Sequence, residues 1–136
     1  MYSDFKLDVN GELVLGPNGD LEIVYGDEYV AQEILFRLKT NLGDCTVDPN
    51  KGCSLESFIG QPNTESLRST IEMVIENQLV IDGLSFSPSV DVVSINDNEL
   101  FILIETPSVE EGDRVIQVQA GLDLRIGLVY SRTDFR

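Results

Sequence analysis

The hydrophobic periodicity of this chain changes twice, and the order of the changes restricts the fold more than any other sequence feature. In the first 25 residues, apolar side chains alternate with polar ones around two turn signals, Asn10-Gly11 and Asn18-Gly19-Asp20. Two stretches of helical periodicity follow, and alternation returns from residue 84 onward. This order predicts an α+β fold: two amphipathic helices packed on a mainly antiparallel β-sheet, with an N-terminal β-meander.

Each predicted helix has one apolar stripe. The first stripe consists of Ala31, Ile34, Leu35, Leu38 and Leu42. We expect Asp27 to be the N-cap of this helix and Gly43 to end it. The second stripe consists of Leu67, Ile71, Val74, Ile75 and Leu79. We expect Asn63 or Thr64 to cap the second helix and residues 82–83 to end it.

The second half of the chain shows the alternation that is typical of strands. One strand is predicted from an alternating set, Phe86, Val90, Val92 and Ile95. Residues 100–104 are all apolar, which predicts a strand that is central or covered on both faces. Residues 114–118 and 122–129 are predicted to form further strands, and residues 130–136 a short polar tail.

The chain is strongly acidic, with 24 Asp and Glu residues against 9 Lys and Arg and a net charge of −15. Nucleic acid and anionic membranes attract basic surfaces, so neither is an expected partner. The charge favours docking on a basic protein surface. Residues 120–136 differ, since three arginines there outnumber two aspartates. The length fits one domain, 1–136, in which residues 120–136 are a candidate partner-binding strand and tail.

The residue types that zinc sites and many enzymes need are scarce. The chain has two cysteines, Cys45 and Cys53, and no histidine. This composition excludes Cys/His zinc sites and catalytic triads that use histidine. The first residues lack the features of a secretion signal, so we expect both cysteines to be reduced in a cytoplasmic product.

The many acidic residues do not form a convincing site. The oxygen-rich segments 8–12 and 96–99 are interpreted as turns, because the full pattern of a calcium loop is absent. Glu33 and Glu56 are the least implausible catalytic acids. However, Glu33 lies one helical turn from Arg37, where an ordinary surface ion pair is expected. We therefore predict no catalytic residue, no cofactor and no metal.

Three motifs in a fixed order resemble a known family. A helix runs into a first turn, a second turn follows, and residues 58–62, Phe-Ile-Gly-Gln-Pro, precede the second helix. The matching residues are Thr40, Gly43 and Asp44 in the first turn and Pro49, Gly52 and Leu55 in the second. This pattern is similar to that of the baseplate wedge, or sheath-initiator, proteins of contractile phage tails and related injection machines. The resemblance covers residues 5–95.

The chain departs from this family at one point. Members often carry a Glu-Pro-Arg triplet just after the second helix, which holds them in a helical bundle of wedge proteins. This chain has Val-Ile-Asp-Gly-Leu at residues 80–84, without arginine or proline. Asp82 is expected to supply part of the acidic role. The resemblance therefore favours sheath initiation over the standard wedge-bundle contact.

The resemblance implies a structural component of the virion tail baseplate, assembled in the host cytoplasm, that nucleates the tail sheath. Its strand edges would pair with the first sheath ring by β-augmentation, in which main-chain hydrogen bonds give affinity and alternate side chains give register. The expected partners are the tail sheath protein, baseplate wedge proteins and the tail tube or hub. We expect a monomer in isolation and six copies per tail. The predicted partner-binding residues are Asp82, Val115, Val118, Leu122, Leu124, Arg125, Leu128, Arg132 and Arg136.

Two alternatives stay open at this point. Some members of the family are labelled lysozyme-like, so one alternative is a peptidoglycan hydrolase of the tail. The other is an unrelated acidic protein-binding module, such as an inhibitor. Clearing of purified cell walls would favour the hydrolase, whereas assembly of the chain into a tail would favour the structural component.

Overall fold

A computed structural model describes residues 3–6, 12–45, 49–110 and 114–135; the side chains of residues 3–5 and 82 lie outside this description. Six strands and two α-helices are found in these residues, with short 3-10 helices at Leu55–Phe58 and Ile81–Gly83. In chain order they are β1 (Ser3–Phe5), β2 (Ile23–Tyr25), α1 (Gly26–Lys39), α2 (Glu65–Val80), β3 (Ser89–Ser94), β4 (Glu99–Pro107), β5 (Val115–Asp123) and β6 (Gly127–Phe135).

The main sheet is antiparallel, with the strand order β3-β4-β5-β6. Its register aligns Val92 with Ile102, Ile102 with Ala120, and Ala120 with Ser131, so these residues share one face. Both helices pack against this face, α2 beside β3 and α1 beside β5 and β6. The predicted α+β fold is confirmed, and so is the central position of residues 100–104, which belong to β4.

The core lies between the sheet and the helices. Alternate residues of β4 and β5 are fully buried, which is the expected pattern for a sheet with one covered face. The predicted stripe of α2 is confirmed, with Ile71 and Ile75 completely buried. The predicted stripe of α1 is wrong at its end: Leu42 lies beyond the helix and is 57% exposed.

The N-terminal segment forms a small antiparallel ribbon in which β1 pairs with β2. The predicted turn at Asn18-Gly19 is confirmed, since Gly19 has a φ of +81° and the N–H of Gly16 donates to the carbonyl of Asp20 at 2.6 Å. The predicted turn at Asn10-Gly11 and most of the acidic segment 8–12 lie outside the described residues. The turn at 96–99 is confirmed, because Oδ1 of Asn96 accepts from two backbone N–H groups.

Helix α1 begins and ends differently from the prediction. Its N-cap is Tyr25, which forms no side-chain capping bond, and its C-cap is Thr40 rather than a residue near Gly43. The predicted N-cap, Asp27, lies inside the first turn. Its carboxylate accepts from Oγ of Ser108 at 2.6 Å and from the N–H of Val109 at 2.9 Å. Asp27 therefore joins α1 to the loop after β4 instead of capping its own helix.

Helix α2 begins as predicted, with Oγ1 of Thr64 accepting from the N–H of Leu67 at 3.1 Å. It ends at Val80, so the predicted end at residues 82–83 is slightly late. The connection to β3 then runs to Pro88. It extends beyond residues 80–84, which were compared above with the Glu-Pro-Arg triplet of the family. Phe86 lies in this connection and is 92% exposed, so its predicted place in a strand is wrong.

The C-terminal strands are displaced from their predicted positions. The predicted strand at 122–129 is wrong, because residues 124–126 form the turn between β5 and β6. Asp123 stabilises this turn, since its Oδ1 accepts from the N–H of Arg125 at 2.8 Å. The predicted polar tail is also wrong, because its residues up to Phe135 belong to β6.

The packing of Tyr130 over Gly121 explains why β5 continues past its predicted end. Gly121 lies opposite Tyr130 in the register, and a Cβ atom at Gly121 would overlap the tyrosine ring. The aromatic ring fills the space that the glycine leaves on the strand surface. The glycine is therefore compatible with an unbroken strand.

A buried network of polar side chains joins α1, α2 and residues 40–64 between them, which we call the linker. Arg37 and Glu33 are only 2% and 6% exposed. Arg37 Nε donates to Oε1 of Glu33 at 3.2 Å, and Nη1 of Arg37 donates to the carbonyl of Gln78. Nζ of Lys51 lies 2.7 Å from the same Glu33 oxygen, and the N–H of Gly52 donates to Oε1 of Gln78 at 2.9 Å. The expectation of a surface ion pair between Glu33 and Arg37 is therefore wrong.

The charge state of Lys51 is tied to this network. Burial lowers the pKa of Lys51, but the hydrogen bond and the charge of Glu33 outweigh it, so the pKa lies above its ordinary value. Lys51 therefore stays protonated at neutral pH. Its contribution to stability is present below the ordinary lysine pKa and is lost as the pH rises through the raised value.

Candidate functional site

Four of the predicted partner-binding residues lie within the sheet or at its turn. Val118, Leu122 and Leu124 are buried at 0%, 1% and 3% exposure, where they contribute to the core. Val115, at the start of β5, is half-buried. The side chains of the three buried residues are not on the surface of the folded chain.

The other predicted residues lie nearer the surface. Arg125 is exposed in the β5–β6 turn and paired with Asp123, Leu128 is half-buried in β6, and Arg132 is exposed on β6. Arg136 and the side chain of Asp82 lie outside the described residues. Within the described part of the chain, Leu128 and Arg132 thus share one feature, the edge strand β6.

The sheet has two edges, and α2 covers the edge formed by β3. The N–H of Val92 donates to Oε1 of Glu72 on α2 at 3.1 Å. Nδ2 of Asn63, which precedes α2, donates to Oγ of Ser94 and to the carbonyl of Asn96, both at 2.8 Å. A backbone N–H that already donates to a side chain cannot pair with an added strand without breaking that bond.

The hydrogen-bonding pattern of the inner strands can be followed toward the opposite edge. Beyond the end of β4, the N–H of Ser108 donates to the carbonyl of Arg114 at 3.0 Å, so this facing pair is hydrogen-bonded. Hydrogen-bonded and non-hydrogen-bonded pairs alternate along an antiparallel ladder. Every second pair from Ser108 is therefore hydrogen-bonded, which includes Ile102 with Ala120. The backbone groups of Ala120 are thus directed toward β4.

The same alternation places free backbone groups on the outer side of β6. If Ala120 bonds to β4, its neighbour Gln119 directs its backbone groups toward β6, where it faces Arg132. The next residues on either side, Ser131 and Thr133, then direct their N–H and C=O groups away from the sheet. No loop or turn backbone group among the described residues bonds to β6. Within the described part of the chain, the β6 edge is therefore open.

A groove of about 790 Å³ runs along this open edge, and we call it the β6 groove. One wall is a stripe on α1, where Ala31, Leu35 and Lys39 are spaced one helical turn apart. The β1–β2 ribbon contributes Val24, and Lys6, the residue after β1, also lines the groove. The groove thus combines apolar side chains with outward backbone donors and acceptors, which is the arrangement that receives an extended peptide.

Comparison with known protein families shows the family to which this chain belongs. A sequence model described as the contractile injection system sheath initiator matches residues 3–97. The chain belongs to the sheath initiator family. The match covers both helices and ends just after β3, so β4, β5 and β6 lie beyond it. This membership confirms the resemblance seen in the sequence and supports a structural role in the tail of a contractile injection system.

Two further comparisons add little to this assignment. No curated protein sequence matches the sheath initiator significantly. A crystal structure described as a tail lysozyme from Geobacter sulfurreducens is similar to it, with a TM-score of 0.41 and 14% sequence identity. The similarity spans 92% of this chain and 95% of that chain. A likeness at this level is no basis for assigning an activity.

The motif residues of this chain have architectural roles. Gly52 has a φ of +127°, and a Cβ atom there would lie 2.6 Å from the carbonyl oxygen of Thr40. Leu55 is 3% exposed in the core. Oγ1 of Thr40 donates to the carbonyl of Phe36 at 2.6 Å, and the carbonyl of Thr40 accepts from the N–H of Ser54. The motif therefore fixes how the linker returns over the end of α1.

The acids considered for catalysis have structural partners. Glu33 is bonded to Arg37 and Lys51, and Oε2 of Glu56 accepts from Nδ2 of Asn41 at 3.1 Å. Across the described ranges, no cluster of three or more His, Cys, Asp or Glu residues could hold a metal ion. No helix in the same ranges has both the length and the apolar character to span a bilayer.

The two cysteines are expected to differ in reactivity. Cys53 is 3% exposed, and burial raises its pKa to about 12, whereas Cys45 is half-buried. Because the thiolate is the reactive form, we expect iodoacetamide at pH 8 to alkylate Cys45 at least about tenfold faster than Cys53. Mass spectrometry of digested samples measures both rates, which should converge in urea. Equal rates in the folded protein would contradict the burial of Cys53.

The raised pKa of Cys53 also has a consequence for stability. The folded value lies above that of an unfolded thiol, so the unfolded chain loses this proton first as the pH rises. The contribution of Cys53 to stability is complete below the ordinary thiol pKa and declines as the pH rises above it toward 12.

Proposed function

We propose that this sheath initiator starts tail sheath assembly by pairing the open edge of β6 with an extended segment of the first sheath subunits. The observation that carries the proposal is the difference between the two sheet edges. The β3 edge is bonded to Glu72, whereas Ser131 and Thr133 direct their backbone groups into a groove. Membership of the sheath initiator family supports a sheath subunit as the partner.

The pairing segment is limited by an irregularity in β6. Gly121 faces Tyr130, but Leu122 faces Leu128, so Val129 is an extra residue in the ladder. A bulge bends the strand and interrupts its regular pairing. The regular segment for an added strand is therefore 130–135, about 20 Å long at about 3.3 Å per residue.

The rest of the molecule holds this edge in place within the tail. The chain acts as one structural domain without catalysis of its own, monomeric in isolation and present in six copies in the assembled tail. Its acidic body, with a net charge of −15, meets basic surfaces of the wedge and of the tube or hub. These electrostatic contacts orient the baseplate component, while the strand pairing at β6 supplies the sheath contact.

Replacing Thr133 with proline tests the strand pairing. The N–H of Thr133 points away from β5, so its loss leaves the internal ladder intact but removes a donor to an added strand. We expect Thr133→Pro to lower binding of the tail's own sheath protein at least about tenfold, since a proline disrupts strand addition locally. Thr133→Ala, which removes the hydroxyl but keeps the N–H, should bind nearly normally. Surface plasmon resonance with purified sheath protein measures both.

Two controls make the result interpretable. Circular dichroism and urea unfolding show whether Thr133→Pro keeps the fold, and Ser131→Pro repeats the test at the neighbouring outward N–H. Cryo-EM of tails assembled with each variant shows whether the first sheath ring is present. Normal sheath binding by folded proteins carrying either proline would refute pairing at β6.

A further inference from the structure

The β6 groove differs in charge from the rest of the molecule. Three of the nine basic residues in the chain line it: Lys6, Lys39 and Arg132. Among the described residues that line the groove, Glu28 is the only acidic one. The chain as a whole carries a net charge of −15. The groove is therefore a basic site on an acidic body.

Two of these three cations are available to a partner. Nζ of Lys6 lies 3.5 Å from a carboxylate oxygen of Glu22, so its charge is partly compensated. Lys39 and Arg132 are exposed, and neither forms an ion pair with any residue that the structure describes. At physiological salt, charges are screened beyond about 8 Å, so nearby cations affect a bound peptide more than the distant acidic surface does.

The charges are also ordered along the groove. Glu28 and Phe135 line one small adjoining cavity of about 290 Å³, so Glu28 lies near the Phe135 end of β6. Lys39 is eleven residues further along α1, which is about 16 Å at about 1.5 Å per residue. Lys39 therefore lies toward the Leu128 end. The groove is acidic at one end and basic from Arg132 to the other end.

We propose that the β6 groove selects an acidic extended segment, whose carboxylates pair with Lys39 and Arg132. This rests on the strand pairing proposed above and adds the chemistry of the incoming strand. Ser131, next to Arg132, is in register with the core residue Ala120, so the Arg132 side chain lies on the opposite sheet face, away from the core. Lys39 lies on the helix side. An added strand presents alternate side chains to both sides, so one acid can reach each cation.

The order of charges further defines this segment. Glu28 disfavours an acidic side chain at the Phe135 end, because like charges repel. The preferred strand thus carries its carboxylates opposite the half of the groove from Arg132 toward Leu128. A basic strand would instead be repelled by Lys39 and Arg132 and attracted by Glu28. Electrostatic complementarity of this kind fixes the register of the pairing as well as the choice of partner.

Two fluorescent ten-residue peptides test the inference. Both are rich in valine and otherwise uncharged; one carries two glutamates an odd number of positions apart, so that they project from opposite faces of the strand, and the other carries lysines at the same positions. Fluorescence anisotropy with the full chain at 0.15 M salt measures both dissociation constants. We expect the acidic peptide to bind on the order of tenfold more tightly, because each exposed ion pair changes affinity by a few-fold. The preference should decrease as salt is raised.

Matched variants locate the effect. Lys39→Gln with Arg132→Gln lowers the net charge by two, and so does Ser69→Glu with Asn77→Glu on the exposed face of α2. We expect the first double variant to lose the preference for the acidic peptide and the second to keep it. Equal binding of both peptides, tighter binding of the basic one, binding of neither, or an unchanged preference without the two cations would overturn the inference.

The sheath-binding test separates this inference from the proposed function. If Thr133→Pro abolishes sheath binding while the two peptides bind alike, strand pairing stands and charge selection is wrong. If Thr133→Pro leaves sheath binding unchanged while Lys39 and Arg132 still select the acidic peptide, sheath pairing at β6 is wrong and the groove receives a different acidic segment.

Discussion

Replacing Arg37 with methionine is expected to lower the free energy of unfolding by about 3 kcal/mol. Methionine has a similar length and fills the site, but it removes the donors that Arg37 supplies to the Glu33 carboxylate and to the Gln78 carbonyl. Breaking a buried ion pair costs about 3–5 kcal/mol, and we expect the lower value because Lys51 still pairs with Glu33. Urea unfolding followed by circular dichroism measures the change.

Two further variants test the cause of this effect. Lys39→Met removes an exposed cation from the same helix, so it should change stability by less than about 0.5 kcal/mol. Adding Glu33→Gln to Arg37→Met should recover part of the loss, because the buried carboxylate that has lost one of its two cationic partners is then neutral. Equal effects of Arg37→Met and Lys39→Met would show that the buried network contributes little to stability.

The second large effect is expected for Gly52→Ala, at about 2–5 kcal/mol of lost stability. Gly52 has a φ of +127°, which strains any other residue, and the new Cβ would lie 2.6 Å from the carbonyl oxygen of Thr40. That oxygen is backbone, so it cannot move without displacing the end of α1. The same urea unfolding experiment measures the loss.

Gly43→Ala is the matched control for this substitution. Gly43 also has a positive φ, +90°, but a Cβ there would have no atom within 4 Å. We expect a loss of only about 1–2 kcal/mol from backbone strain. The difference between the two alanine variants measures the close approach of the linker to Thr40. If the two losses are equal, that approach is not what requires glycine at position 52.

Local patterns in the sequence were sufficient to predict the order of elements. The stripe from Leu67 to Leu79 predicts α2 because helical spacing is a local property, and Thr64 is a cap because its side chain reaches only three residues ahead. The α+β class follows from the same periodicity. These predictions depend on residues that are neighbours in the chain.

The errors have a common cause in contacts between distant residues. Asp27 has the composition of an N-cap, but Ser108 and Val109 bind its carboxylate instead. Glu33 and Arg37 have the spacing of a surface pair, but the linker residue Lys51 covers them. The continuation of β5 through Gly121 depends on the ring of Tyr130 from the next strand. No local pattern contains this information.

The candidate site was predictable only in part. The sequence and the family resemblance indicated that C-terminal strands carry a partner surface, and Arg132 and Leu128 do lie on the open edge strand. Which edge is open depends on where Glu72 and Asn63 lie in space, and the α1 wall of the groove lies about one hundred residues before β6 in the sequence. The one available signal was the excess of arginine near the C-terminus.

The covered edge of β3 makes the two edges of the sheet unequal in their ability to accept a further strand. Because Glu72 occupies the N–H of Val92, a strand added at β3 would have to break that bond, whereas the pairing proposed at β6 breaks no backbone bond to a loop or turn among the described residues. On the proposed pairing, such a molecule would begin a row of paired strands but would not lie in the middle of one. The same bond would oppose the joining of copies edge to edge into a fibre. On this proposal, one carboxylate on a helix would distinguish a first subunit from a repeating one.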